Sequence, residues 1–156
     1  MRPMDVKQIF IDTNVLVYST DTLSPWKVLA KKAIQKAREQ SIELLVSQQV
    51  LREYIAVTTR FSVSGSGIPL REIVENVQTF QTEFTILSEN PRILKQLIDL
   101  VQEIPMAGKQ VHDANIVATM LVYGIDYLLT YNIDDFKRFS GKIHILSLED
   151  WVKQRS

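Results

Sequence analysis

Residues 9–16 read Ile9-Phe10-Ile11-Asp12-Thr13-Asn14-Val15-Leu16. Ile9, Phe10 and Ile11 are apolar without alternation, so both faces of this segment must be covered. A chain writes the middle strand of a parallel sheet in that way. The acid that follows, Asp12, stands at the carboxyl end of the strand, where open parallel sheets bind their ligands. The fold therefore turns on whether the rest of the chain supplies neighbouring strands and helices to cover them.

It does. Leu44-Leu45-Val46, Thr85-Ile86-Leu87, Tyr127–Thr130 and Ile143–Leu146 are short apolar segments of strand length. Helices are expected over Trp26–Gln40, with Ser24 as a candidate cap and Pro25 at a tolerated first position. A second follows Ser47, which can cap it, and spaces Val50, Leu51, Tyr54 and Ile55 as one buried face. Others run from Leu70 to about Phe84, Pro91 to Ile104, Gln110 to Tyr123 with Gly124 closing it, and onward from Leu148. Strands alternating with helices predict a parallel sheet covered on both faces. The stretch Ser62–Gly67 reads as a mobile loop between two helices.

Composition narrows the function. The 156 residues suit a single domain over 1–156, and 46% apolar content is ample for a packed interior. Eighteen Lys+Arg balance eighteen Asp+Glu, so no global basic field holds nucleic acid, although a local patch can. The absence of cysteine excludes disulfides, thiolate zinc sites and a cysteine nucleophile. The first apolar triplet ends at Asp12, too short for a signal peptide, and the apolar stretch Ile116–Ile125 is broken by Thr119 and Gly124. The expectation is a soluble, cytoplasmic protein with no membrane partner.

Four acids from distant parts of the chain are expected on one sheet rim. Asp12 ends the first strand, and Asp135 follows the Tyr127–Thr130 strand together with Asn132. Glu53 lies in the helix after Ser47, and Asp113 is in the first turn of its helix, facing the same way as Val117, Met120 and Leu121. Taken singly, such acids are turn, cap or solvated residues. Together they repel unless a cation sits among them, and hard carboxylate oxygens suit Mg²⁺ or Mn²⁺. Such a cluster can activate water and stabilise an in-line phosphoryl displacement. His112 neighbours Asp113 but projects about 100° away on a helix, and His144 reads as a strand-face residue. Lys27, Lys31 and Arg52 are candidates for a local basic patch. Gly65-Ser66-Gly67 lacks the Lys and the preceding strand of a phosphate loop.

The motifs Ile11-Asp12-Thr13-Asn14-Val15-Leu16, Leu51-Arg52-Glu53-Tyr54, His112-Asp113-Ala114 and Leu129-Thr130-Tyr131-Asn132-Ile133-Asp134-Asp135-Phe136 occur in one order. In that order the chain resembles PIN domains over nearly its whole length, and within them the virulence-associated protein C toxins of type II toxin–antitoxin pairs. The resemblance implies a three-layer α/β/α sandwich with a central parallel sheet. It also implies an endoribonuclease that depends on Mg²⁺ or Mn²⁺, is held inactive by a cognate antitoxin, and forms homodimers. The exposed apolar residues of the Leu70–Phe84 and Pro91–Ile104 helices are the expected dimer interface.

The resemblance maps metal-binding, catalytic acids onto Asp12, Glu53 and Asp113. The fourth position departs from the commonest pattern, because Asn132 stands where many members carry Asp. Asp135, three residues on, is assigned as the acid, with Asn132 as a candidate neutral ligand and Asp134 solvated. Thr13 and Thr130 are expected to support the acids by hydrogen bonding. The alternatives are a housekeeping RNA-processing nuclease of the same fold and a silent scaffold that binds RNA or protein. A haloacid-dehalogenase phosphatase is excluded because Asn14 stands where its second Asp is needed.

Overall fold

The structure, a computed structural model, describes residues 6–63, 65 and 67–154. The first five residues used in the signal-peptide reading, and Ser64 and Ser66 of the expected mobile loop, lie outside these. Five parallel strands form one sheet: β1 (Gln8–Ile11), β2 (Glu43–Ser47), β3 (Thr85–Leu87), β4 (Tyr127–Thr130) and β5 (His144–Ser147), in the order β3-β2-β1-β4-β5. β1 is central, as its apolar triplet requires. Ile9, Phe10 and Ile11 have no exposed surface. Burying each contributes about 1.5–3 kcal/mol relative to exposure.

The helices are α1 (Thr13–Thr20), α2 (Lys27–Glu39), α3 (Gln48–Val63), α4 (Leu70–Glu83), α5 (Pro91–Glu103), α6 (Gln110–Tyr123) and α7 (Leu148–Lys153), with a 3-10 helix over Ile133–Phe139. α1 packs on α2 and α3, α2 on α7, and α3 on α4, whereas α5 packs on α6. From β1 the chain steps outward to β2 and β3, then crosses back to β4 on the far side of β1. Right-handed crossovers in opposite directions put α1–α4 on one face of the sheet and α5 and α6 on the other, giving three layers. The reversal of strand order falls between β1 and β4, and it opens a crevice at their carboxyl ends.

Three local expectations are corrected. The chain folds into α1 directly after Asp12, a helix that no apolar period announces because Val15, Leu16, Thr13 and Ser19 are buried around much of its circumference. Ser24 does not cap α2. Its hydroxyl accepts from the Trp26 amide at 3.1 Å, and α2 begins at Lys27, since Trp26 is held outside helical geometry (φ −98°, ψ 1°). Ile55 is 42% exposed rather than buried, because it faces a small apolar groove shared with Leu70, Ile73 and Val74 of α4. Elsewhere the expected elements stand within a residue or two. Ser47 caps α3 through the Val50 amide at 3.3 Å, and Gly124 ends α6 at φ +69°, a left-handed conformation that suits glycine. Among the described residues, no helix is long and apolar enough to cross a membrane.

Candidate active site

The crevice beside β1 opens into a cleft of about 700 Å³. Asp12, Glu53, Asp113 and Asp135 all line it, each from a different element: the end of β1, α3, the first turn of α6 and the 3-10 helix. The structure thus brings together the four acids expected on one rim. Asn132 is exposed and does not line the cleft, and Asp134 points away to pair with Lys137 at 3.6 Å.

Asp12 is the most firmly held. It is 7% exposed, and its Oδ1 accepts from the Thr13 amide at 2.8 Å as α1 begins. Its Oδ2 accepts from the Thr130 hydroxyl at 2.8 Å, across the β1–β4 boundary. The same Thr130 oxygen accepts from Asn14 Nδ2 at 3.3 Å and from the Asn132 amide at 3.1 Å, while Asn14 Oδ1 accepts from the Tyr131 amide at 3.2 Å. Glu53 is oriented from two sides. The Thr13 hydroxyl donates to its Oε2 at 3.0 Å and Gln49 Nε2 to its Oε1 at 3.0 Å. Gln49 also donates to the His112 carbonyl at 2.9 Å and accepts from Asn115 at 2.7 Å, which ties α3 to α6. Asp135 is exposed, and its Oδ2 accepts from Asn132 Nδ2 at 2.9 Å.

Thr13 and Thr130 support the acids as expected. Asn132 faces Asp135 with the donor end of its amide. Asn14 and Gln49 were not singled out from sequence. A glutamine one turn before Glu53 is the only signal for Gln49, and Asn14 lay inside a quoted motif without a role.

Electrostatics follow from this burial. Asp12 is pushed up to about 6, first by burial, partly offset by the Thr130 and Thr13 hydrogen bonds, with Glu53 and Asp135 adding repulsion. Asp113 is pushed up to about 7, again first by burial and then by the charges of Asp12, Asp135 and Glu53, against which Arg138 pulls down. Asp113 is therefore only partly ionised at neutral pH, and positive charge brought into the cleft favours the ionised form of both carboxyls. The donors are oxygens only, the chemistry that hard divalent cations take, and so the residues fit such an ion. Among the described residues, no three acids stand close enough to chelate one as they are held here. Side-chain movement has to bring them together around an ion.

The basic residues are redistributed relative to expectation. Arg52 lines the cleft, joined by Arg60 and Lys109, which the sequence reading did not select. Lys27 does not line it, and Lys31 lines a separate cavity with Arg38, Asn76 and Glu83. His112 is exposed at the cleft's lip, and His144 stacks on Tyr127 with ring centroids 5.1 Å apart.

The family model described as PIN domain matches residues 9–142. Ribonuclease VapC2 of Methanocaldococcus jannaschii is 26% identical over 145 residues, 86% of this chain and 91% of the relative. Two solved structures share the fold. VapC20 of Mycobacterium tuberculosis, a Sarcin-Ricin loop cleaving toxin, superposes with a TM-score of 0.66 at 18% identity, over 86% of this chain and 96% of that one. VapBC2 of Rickettsia felis, bound to a DNA fragment from its promoter, gives 0.64 at 17% identity, over 90% and 98%.

Proposed function

The chain belongs to the PIN domain family, and on that premise we propose that it is a divalent-metal-dependent endoribonuclease, the toxin of a type II toxin–antitoxin pair. Residues 1–156 are taken as one PIN-like unit acting in the cytoplasm. One observation carries the reading: Asp12, Glu53, Asp113 and Asp135 converge from four elements on a single cleft, with Asp12 and Asp113 pushed well above the ordinary carboxylate range. Asp12, Glu53, Asp113 and Asp135 would hold Mg²⁺ or Mn²⁺, which when bound would supply positive charge to offset theirs and Lewis acidity for water and phosphate oxygens.

The chain's own groups do the rest. Thr130 and the Thr13 amide fix Asp12, while Thr13 and Gln49 fix Glu53, so these oxygens need no reorganisation when a cation arrives. Asp12 and Asp113 must shed protons on binding it, which makes affinity rise with pH. Asn132 acts through Asp135, holding that carboxylate by its amide group. Arg52, Arg60 and Lys109 draw the phosphate backbone to an otherwise acidic cleft.

The toxin reading is favoured over a housekeeping nuclease by the structural neighbours, which include a toxin-antitoxin complex from Klebsiella pneumoniae and the cleaving toxin VapC20. A cognate antitoxin is the proposed protein partner, and a homodimer the proposed assembly. Leu70 and Val74 of α4 and Leu94, Ile98 and Val101 of α5 are exposed apolar residues that fit an interface. The test is to incubate purified protein with RNA in Mg²⁺, Mn²⁺ or EDTA beside Asp12→Asn, and to map the cut ends. Cleavage is expected only for wild type with metal. Equal cleavage by Asp12→Asn would falsify the assignment of the site.

A further inference from the structure

The wall of the cleft along α1 is not only polar. Thr13 and Asn14 are followed one turn later by Val17 and Tyr18, and all four line the cleft. Tyr18 is half-buried, and its ring meets Tyr131 edge to face, with centroids 5.2 Å apart and planes at 86°. Tyr131 in turn rests against Trp26 at 4.9 Å. The Tyr18 ring is thereby buttressed, while its hydroxyl takes no hydrogen-bond partner among the described residues. Val15 and Leu16 seal α1 against the core with no exposed surface, and Tyr18 packs on that core only in part, leaving the rest of its ring to the cleft.

Six residues of helix separate Asp12 from Tyr18, about 9 Å along the axis. A fixed aromatic ring at that distance from the acids, in a cleft that also carries Arg52, Arg60 and Lys109, combines the two devices by which proteins hold single strands. Those are a ring for a base and cations for the backbone. A continuous A-form duplex keeps its base faces stacked on one another and offers none to such a ring.

Building on the nuclease reading above, we propose that Tyr18 is the stacking surface for an unpaired base beside the scissile phosphate, and so the residue that fixes how the nucleotide next to the cut is held. Tyr131 and Trp26 are positioning residues that hold the Tyr18 ring.

The experiment uses an RNA oligomer containing a mapped cut, the same oligomer annealed to its complement, and versions with one abasic nucleotide on either side of the cut. For wild type, one abasic position and the duplex should each lower kcat/KM roughly tenfold or more, the size expected from one lost base–ring stack. Tyr18→Leu should lose a similar factor on the intact strand, chiefly through KM. It should lose little more on the sensitive abasic strand, because both changes remove the same contact. Tyr18→Phe, which keeps the ring, should restore the abasic sensitivity. Binding of each RNA by cleavage-deficient Asp12→Asn should show the same pattern. Multiplying losses for Tyr18→Leu and the abasic strand, or equal cleavage of strand and duplex, overturn the stacking role while leaving the nuclease intact. No cleavage and no binding of any RNA overturns both.

Discussion

The two ends of the acidic cleft are built on opposite principles. At the β1–β4 boundary Asp12 is nearly enclosed, and Thr130, Asn14 and the Thr13 amide fix it through a network whose members are themselves held by adjacent central strands. At the 3-10 helix Asp135 is exposed and held by the amide of an equally exposed Asn132. The enclosed end is over-determined, so altering any member leaves a buried polar group without its partner. The open end can adjust, and its residues should tolerate change in proportion to their exposure. One site thus pairs an enclosed, over-determined acid as its anchor with an exposed one held by a single amide.

The sharpest way to break this contrast is at the anchor. Asp12→Asn should keep the fold and lower metal-supported RNA cleavage by roughly a hundredfold or more, measured as kcat/KM. Asp113→Asn should do likewise. Thr130→Val should cost roughly 10- to 100-fold in metal affinity or activity, although the residue touches no ligand. It should also lower unfolding free energy by about 1–3 kcal/mol in urea, because Asp12 and Asn14 both lose a buried partner.

Next comes pH. Asp113 titrates near 7 in the folded chain against an ordinary value of 3.8. The folded state therefore favours its protonated form. That contribution is fully present below about pH 4 and is lost as pH rises through 7. In EDTA, Asp113→Asn should match wild type in stability near pH 4 and exceed it above pH 7. The difference should be on the order of 2 kcal/mol, allowing for solvent reaching a half-buried group. Saturating Mg²⁺ or Mn²⁺ should abolish or reverse that advantage. A constant offset across the range would show that the cost of charging Asp113, by burial first and repulsion second, is not its source.

At the open end the effects shrink. Asp135→Ala should raise the metal concentration needed for cleavage roughly tenfold and be partly rescued by excess metal. Asn132→Ala should shift it less, since it only orients Asp135, and Asp134→Ala should titrate like wild type. If Asn132→Ala exceeds Asp135→Ala, the amide rather than the acid completes the site. If all three are silent, Asp12, Glu53 and Asp113 suffice.

The same contrast explains what could be read from sequence. β1 was legible because a central strand has no polar face, and Asp12 because three further acids were expected on the same rim. Asp113 was legible as an acid on an apolar helical stripe. α1 was not, since a helix buried around much of its girth loses the period that announces one. Gln49 and Asn14 escaped because an amide side chain's value lies in partners 63 and 116 residues away. The cations failed for a related reason: a run such as Lys27 to Lys36 looks like a patch, whereas Arg52, Arg60 and Lys109 gather on the cleft only through tertiary packing.

The pairing of β1 with β4 also governs when the cleft can exist during synthesis. Asp12 leaves the ribosome early, yet the hydroxyl that holds it belongs to Thr130, 118 residues later. At ordinary translation speeds the gap is roughly 6 to 24 s. Throughout that interval the growing chain carries Asp12, for most of it Glu53 and only near its end Asp113, with the central slot beside β1 empty. An aspartate without its threonine, in a sheet lacking its fourth strand, is an unassembled part. The late insertion of β4 therefore works as a timer, completing the anchor only after most of the chain has been made.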